Sequence, residues 1–217
     1  MLLQQRRVLI VDDHPVVREG LRGLIDSQDD MQVCGEAATV ESAMQLLREL
    51  TPDAMIVDIS LGKESGLDLI QQARAQLPTL ALLVLSMHDE MIYAERALRS
   101  GAGGYVMKQE ATSQLVAALR CVFEGRMFVS PAVTERLLNT LARPSSTRPN
   151  YSVDRLTNRE LEVFRLIGTG VTSAEIANNL HISRKTVETH RTRIKEKLGA
   201  STAAELVIQA ATWLRDG

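Results

Sequence analysis

The sequence predicts two domains, an N-terminal (βα)5 doubly wound parallel sheet of the α/β class and a C-terminal four-helix, all-α domain. Three observations carry this. Apolar strand-like runs alternate with helical patterns five times before residue 125, which signals a parallel sheet with right-handed crossovers. A Pro/Ser-rich stretch, Arg143-Pro-Ser-Ser-Thr-Arg-Pro-Asn150, then interrupts the pattern and reads as a linker. Beyond it every apolar pattern has helical spacing. The domains are therefore 1–125 and 154–217, with a linker at 126–153 that includes a helix near 131–142.

In chain order, Val8–Val11 is the first strand, and Val16, Leu21, Leu24 and Ile25 make one face of a helix over Pro15–Ser27. Met31–Glu36 is the second strand, and Thr39 with Ser42 opens a helix through Leu50. Ala54–Val57 follows, then a loop to Gly66 and a helix to Leu77. Leu80–Leu85 is nearly all aliphatic, as a parallel strand buried on both faces must be. A helix from Glu90 to Arg99 stops at Gly101, Gly104–Met107 is the fifth strand and Thr112–Phe123 the fifth helix. Pro131–Leu141 is amphipathic.

In the second domain Thr157-Asn-Arg-Glu160 and Thr172-Ser-Ala-Glu175 have capping-box spacing, in which hydroxyl and glutamate satisfy each other's free backbone donors. Ser183 caps a longer helix through Leu198, with Gly199 as its left-handed terminator. A last helix runs from Thr202 to Trp213.

Composition excludes several classes. Hydrophobic residues are 45% and charged residues 24% of the 217, ordinary soluble usage. Aromatics, at 3%, are too few for a platform that stacks single-stranded bases. No run of apolar residues is long enough for a membrane span, and no export signal precedes Val8, so the expected location is cytoplasmic. Cys34 and Cys121 lie far apart in apolar patterns and read as reduced core thiols. The net charge of −2 is uneven: Arg184–Lys197 holds six basic and two acidic side chains. A basic cluster in one element of an acidic protein points to a polyanion, although a solvated helix face produces the same run.

The chemistry gathers at strand ends. Val8–Val11 runs into Asp12-Asp13 and Ala54–Val57 into Asp58; Ser86 ends the fourth strand and Lys108 the fifth. Ligands of open parallel sheets bind at the carboxyl ends of the strands, and three carboxylates there suit a hard divalent cation and phosphate chemistry. Alone, Asp12-Asp13 would equally serve as a turn or helix cap.

The set Asp12-Asp13, Asp58, Ser86, Tyr105 and Lys108 resembles the receiver domain of two-component response regulators over about the first 125 residues. The resemblance implies that Asp58 accepts a phosphoryl group from a sensor histidine kinase. It implies that Mg²⁺ is held by Asp13, Asp58 and the Ser60 backbone carbonyl, with Asp12 acting through water. Lys108 would neutralise the transferring group, Ser86 would swing toward the phosphoryl oxygen and Tyr105 would turn inward behind it. Ser60 and His88 stand where family members tune dephosphorylation. Two departures are notable: Gly62, within Leu61-Gly-Lys-Glu-Ser-Gly66, and Gln109 stand where receivers usually carry proline. Glycine frees a backbone that proline would fix, so a more mobile loop and a less rigidly held site are expected.

The runs Leu156–Ile167, Ser173–Leu180, Ile182–His190 and Lys197–Gly199 resemble the LuxR-type helix-turn-helix, and both domains together place the chain with the NarL/FixJ subfamily. On Ser183–Leu198, Val187, Ile194 and Leu198 share one face, while Lys185, Glu188, Thr189 and Thr192 share another, spaced as a recognition helix requires. Thr186 is read with that face, and Arg184, Arg191, Arg193 and Lys195 as phosphate contacts. By base-edge chemistry Lys185 suits guanine, Glu188 cytosine N4 and Thr189 a thymine methyl. Leu206, Val207, Ala210 and Trp213 form an apolar stripe on the last helix, which the resemblance makes a dimer interface; Trp213 would equally close the domain's own core.

The expected protein is a phosphorylation-switched transcription regulator and not an enzyme, beyond catalysing its own phosphorylation and dephosphorylation. Its partners would be double-stranded DNA, a sensor histidine kinase, RNA polymerase and a second copy of itself on activation, with no membrane partner. Two other readings stay open: a receiver switched by partner binding without phosphorylation, and a Mg²⁺-dependent phosphohydrolase using Asp58 as nucleophile. The second lacks a general acid at Ser60 and leaves the helix-turn-helix without a purpose.

Overall fold

A computed structural model describes residues 5–62, 64–142 and 153–216. The Pro/Ser-rich linker Arg143–Asn150 lies outside these residues. The chain divides into two compact units, 1–142 and 143–217.

In the first unit, strands β1 (Arg6–Val11), β2 (Met31–Ala37), β3 (Ala54–Val57), β6 (Ala81–Ser86) and β7 (Gly104–Met107) form one parallel sheet in the order β2-β1-β3-β6-β7. Helices α1 (Pro15–Asp26), α2 (Val40–Leu50), α3 (Gly66–Gln76), α4 (Glu90–Ser100) and α5 (Ala111–Phe123) connect them. Val8 to Val11 and Leu82 to Val84 are wholly buried, which explains why these runs carry no polar alternation. The caps expected at Thr39 and Gly101 form, Thr39 reciprocally with Ser42.

The order 2-1-3 has a direct consequence. The chain leaves β1 toward one side of the sheet for β2 and returns to the other side for β3, opening a crevice between the ends of β1 and β3. Asp12 and Asp13 follow β1, and Asp58 follows β3.

Two features of the fold go beyond the periodicity of the sequence. The loop after Asp58 holds a short antiparallel ladder, β4 (Ser60–Leu61) with β5 (Glu64–Ser65). Gly62 sits in its turn at φ +60°, a left-handed conformation closed to proline. Its N–H donates to Asp13 Oδ2 at 3.0 Å, and Glu64 Oε2 accepts from the Val40 N–H at 3.0 Å. Glycine is thus placed by a turn, and that turn is tied to the acidic pair and to the start of α2. The other concerns residues 126–142, read as a linker that includes a helix near 131–142. Phe128 bridges to Gly104 on the edge strand, Ser130 Oγ donates to Glu90 Oε1 at 2.7 Å, and α6 (Pro131–Ala142) packs on α4 with Val133 buried. The first unit therefore closes its own sheet edge, and it ends at Ala142.

The second unit comprises α7 (Asn158–Gly168), α8 (Ser173–Asn179), α9 (Arg184–Leu198) and α10 (Ala203–Asp216). Both capping boxes form, Ser183 caps α9 and Gly199 ends it at φ +70°. Phe164, Ile176, Val187, Ile194, Leu206 and Ala210 are fully buried and make the core. Among the described residues no helix is long and apolar enough to cross a membrane.

Candidate functional site

Lys108 is the centre of the first site. Its Nζ lies 2.6 Å from Asp12 Oδ2 and 2.7 Å from Asp58 Oδ2, and all three side chains are at least nine-tenths buried. Burial alone would be costly for such charges, and this geometry offsets it by giving each a close opposite charge. Burial also sets the pKa of Asp58. Despite Lys108 it is pushed up to about 6, with the Asp12 charge acting in the same direction. For Lys108 burial acts downward, and the two carboxylates more than reverse it, so its ammonium is held above the ordinary lysine range.

Further contacts hold the carboxylates in place. The Ser60 N–H donates to Asp58 Oδ1 at 3.3 Å, and the His14 N–H to Asp12 Oδ1 at 2.9 Å. Arg18 Nη1 donates to the Asp12 carbonyl at 2.7 Å. A side chain at position 66 would place Cβ 1.8 Å from the Asp58 carbonyl oxygen, so only glycine allows α3 to start against the backbone of Asp58. Arg18, Glu64 and Gly66 escape sequence reasoning. Their spacing from Asp58 and the acidic pair acquires meaning only through strand order.

Asp12, Asp13, His14 and Asp58 each offer an atom within 4.8 Å of the others. Asp13 Oδ1 is buried and makes no hydrogen bond among the described residues, although His14 Nδ1 lies 2.8 Å away. A buried carboxylate oxygen that accepts no hydrogen bond, beside two further carboxylates, fits a hard divalent cation.

The remaining predicted residues converge next to this cluster. Ser60 Oγ is 2.7 Å from His88 Nε2, Ser86 Oγ accepts from the His88 N–H at 3.1 Å, and the Tyr105 hydroxyl donates to the His88 carbonyl at 2.7 Å. His88 thus joins Ser60, Ser86 and Tyr105 into one network, with its ring against Tyr93. Tyr105 is already inward and buried; burial pushes its phenol above its ordinary value, against the Ser86 hydrogen bond.

On α9 the expected face is exposed: Arg184, Lys185, Thr186, Glu188, Thr189, Thr192 and Arg193 all face solvent. Arg191 is mostly covered and approaches Glu188 at 3.8 Å, and Lys195 is half-buried. These two are less free to meet phosphates than their spacing implied. Lys197 belongs to the fold, reaching Glu160 Oε2 at 2.6 Å. Arg159 donates to the Leu180 carbonyl at 2.6 Å and closes the turn between α8 and α9, a role that the sequence left unmarked.

Most of the apolar stripe of α10 is covered within the unit itself, and for Trp213 this is the core reading that its spacing left open. Leu206 and Ala210 are fully buried, Ala210 lies against Gly168 of α7, and Trp213 packs on Phe164 at 5.7 Å. These residues complete the unit's own core because α7 requires a third wall. Val207 alone of the four is exposed, beside the more exposed Ile208.

Comparison with known proteins agrees with this arrangement. Residues 8–120 match the response regulator receiver domain, and residues 154–210 match the luxR family of bacterial regulatory proteins. The transcriptional regulatory protein MctR of Rhizobium johnstonii is 35% identical, over 93% of this chain and 91% of its own. The oxygen regulatory protein NreC of Staphylococcus carnosus is 37% identical, over 93% and 94%. A structure of RcsB from Salmonella enterica serovar Typhimurium, bound to promoter rprA in the presence of phosphomimetic BeF3⁻, matches 95% of this chain and 98% of its own, with 28% identity and a TM-score of 0.56. Receiver-type geometry at the β1/β3 crevice and a helix-turn-helix presenting a polar and basic face thus occur in the order the family models require: the chain belongs to the response regulators of two-component systems, with a LuxR-type DNA-binding domain.

Proposed function

We propose that Asp58 is the phosphoacceptor and that its phosphorylation, by a sensor histidine kinase, governs sequence-specific binding of double-stranded DNA through α9. The observation that carries this is Lys108 bridging Asp12 and Asp58 at the crevice between β1 and β3. An Asp58 oxygen attacks phosphorus of the phosphohistidine; the O–P bond forms, the N–P bond breaks, and the electron pair stays on the departing imidazole nitrogen. Lys108 neutralises charge on the transferring oxygens, the main demand of phosphoryl transfer on a protein. Mg²⁺, held by Asp13, Asp58 and the Ser60 carbonyl with Asp12 through water, would supply further charge neutralisation. Ser86 and Tyr105, both joined to His88, are the switch pair.

Acetyl phosphate will add a phosphoryl group to the wild type, read by intact mass, and none at this site to Asp58→Ala. Phosphorylation will tighten promoter binding and shift the protein toward dimers, by roughly the 5- to 150-fold typical of coupled sites, while Asp58→Asn stays at the unphosphorylated level. An Asp58→Asn protein that dimerises and binds as the phosphorylated wild type does would overturn the reading. RcsB, seen on promoter DNA with a phosphomimetic, supports DNA as the partner here.

Ser60 and His88 face each other 2.7 Å apart beside the acceptor, and are assigned to the lifetime of the aspartyl phosphate. Ser60→Ala and His88→Ala will change the dephosphorylation rate with little effect on labelling; unchanged lifetimes in both would remove the assignment.

A further inference from the structure

We infer that Thr189 and Thr192 read DNA through their methyl groups, recognising two thymines about one base step apart. This rests on the reading of α9 as the recognition helix and goes further by naming what it reads. Both side chains are exposed on that face. Yet neither hydroxyl is free along the helix: Thr189 Oγ1 donates to the Lys185 carbonyl at 3.0 Å, and Thr192 Oγ1 to the Glu188 carbonyl at 3.1 Å. With each hydroxyl turned back on the preceding turn, the other branch of Cβ, a methyl group, is what the side chain presents outward.

A polar helix surface thereby carries two apolar points. In the major groove the thymine C5 methyl is the one apolar feature of a base-pair edge, so it is the chemical match. The spacing agrees. Residues three apart on a helix are neighbours on one face and rise by about 4.5 Å, close to the step of roughly 3.4 Å between base pairs. Thr186 differs: its hydroxyl is 2.8 Å from the Ser183 cap at the helix start, so it belongs to the cap.

The test uses the full chain, treated with acetyl phosphate, and duplexes that it selects from a random pool. The selected duplex is remade with deoxyuridine replacing each thymine in turn, which removes only the methyl. Wild type is expected to lose about 4-fold in affinity at each of two positions one base step apart, the worth of one buried methyl group. Thr189→Ser and Thr192→Ser, which keep only the hydroxyl, will each abolish the thymine preference at one of those positions. Thr189→Val and Thr192→Val, which keep the methyl, will retain it. All three residue types have similar helix propensity at exposed positions, so the domain stays folded.

The inference is overturned if no position responds to loss of the thymine methyl. It is equally overturned if the serine variants keep the preference and the valine variants lose it, which would make the hydroxyls the readers. Lys185→Ala and Glu188→Ala proteins that bind the selected duplex as tightly as wild type would instead overturn the assignment of α9 itself.

Discussion

Gly66→Ala is expected to destabilise the first unit by about 3 kcal/mol or more and to abolish phosphoryl labelling of Asp58. The added Cβ would stand 1.8 Å from the Asp58 carbonyl oxygen and 2.8 Å from its carbonyl carbon. Both are backbone atoms, so no rotamer change relieves the clash, and overpacking a closed site ordinarily costs about 1–3 kcal/mol even where side chains can yield. The shift must break either the Gly66 N–H bond to the Ile59 carbonyl, 2.7 Å, or the placement of Asp58 against Lys108. Urea unfolding followed by hydrogen exchange over residues 54–70 reads the first effect, and acetyl-phosphate labelling reads the second. Gly23→Ala is the matched control. Gly23 lies in α1, where an added Cβ would meet nothing within 4 Å, and alanine there should stabilise by about 0.5–1 kcal/mol. A Gly66→Ala protein that unfolds and labels as wild type would show that α3 can start elsewhere without moving the acceptor.

Glu160→Ala is expected to cost the second unit about 2 kcal/mol. Glu160 is 2% exposed and accepts from the Thr157 N–H at 2.8 Å and from Lys197 Nζ at 2.6 Å. One carboxylate therefore closes the capping box of α7 and ties α7 to the end of α9. Loss of a cap costs about 1 kcal/mol and of a charge-assisted hydrogen bond roughly 1.5–3. The sum is discounted because Lys197 is one-third exposed and can turn to water. The same residue sets a pH dependence. Burial acts to raise its pKa, and the hydrogen bond and charge of Lys197 with the hydrogen bonds of Thr157 more than offset that, leaving it below the ordinary 4.5. The folded carboxylate thus binds its proton less readily than the unfolded one. Its contribution is complete above about pH 4.5 and is lost as pH falls through the folded value. Thermal unfolding from pH 7 to pH 3 should show the gap between wild type and Glu160→Ala narrowing only at the acid end. A gap independent of pH would assign the loss to packing.

Much of the fold was legible because local chemistry is decisive where it operates. Runs such as Val8–Val11 and Leu82–Val84 are apolar without alternation because both faces are covered. The hydroxyl–glutamate pairs at Thr157 and Thr172 marked two helix starts because their bonds lie within three residues. Asp12, Asp58, Ser86 and Lys108 were legible as a site because each ends a strand, and strand ends of a parallel sheet share one rim. Gly62 was only partly legible for the opposite reason: its missing side chain signals freedom in isolation, and only the fold shows that it also satisfies a left-handed turn. The stripe on α10 was ambiguous because an apolar helix face has the same spacing whether a partner or its own domain covers it.

By itself the sequence determined the main strands and helices, the change from alternating to all-helical pattern and the residue types at the acceptor, since these follow from periodicity, capping and the position of polar groups at the ends of apolar runs. Only the tertiary structure decided which strands are neighbours, and so that Asp12 and Asp58 flank one crevice. Strands buried on both faces carry little information about their partners. It also decided that Gly66 must be glycine, that residues 126–142 cover the β7 edge and α4, and that Leu206, Ala210 and Trp213 serve the core of the second unit. Each of these depends on what lies within a few ångströms across the fold, and sequence separation does not encode that distance.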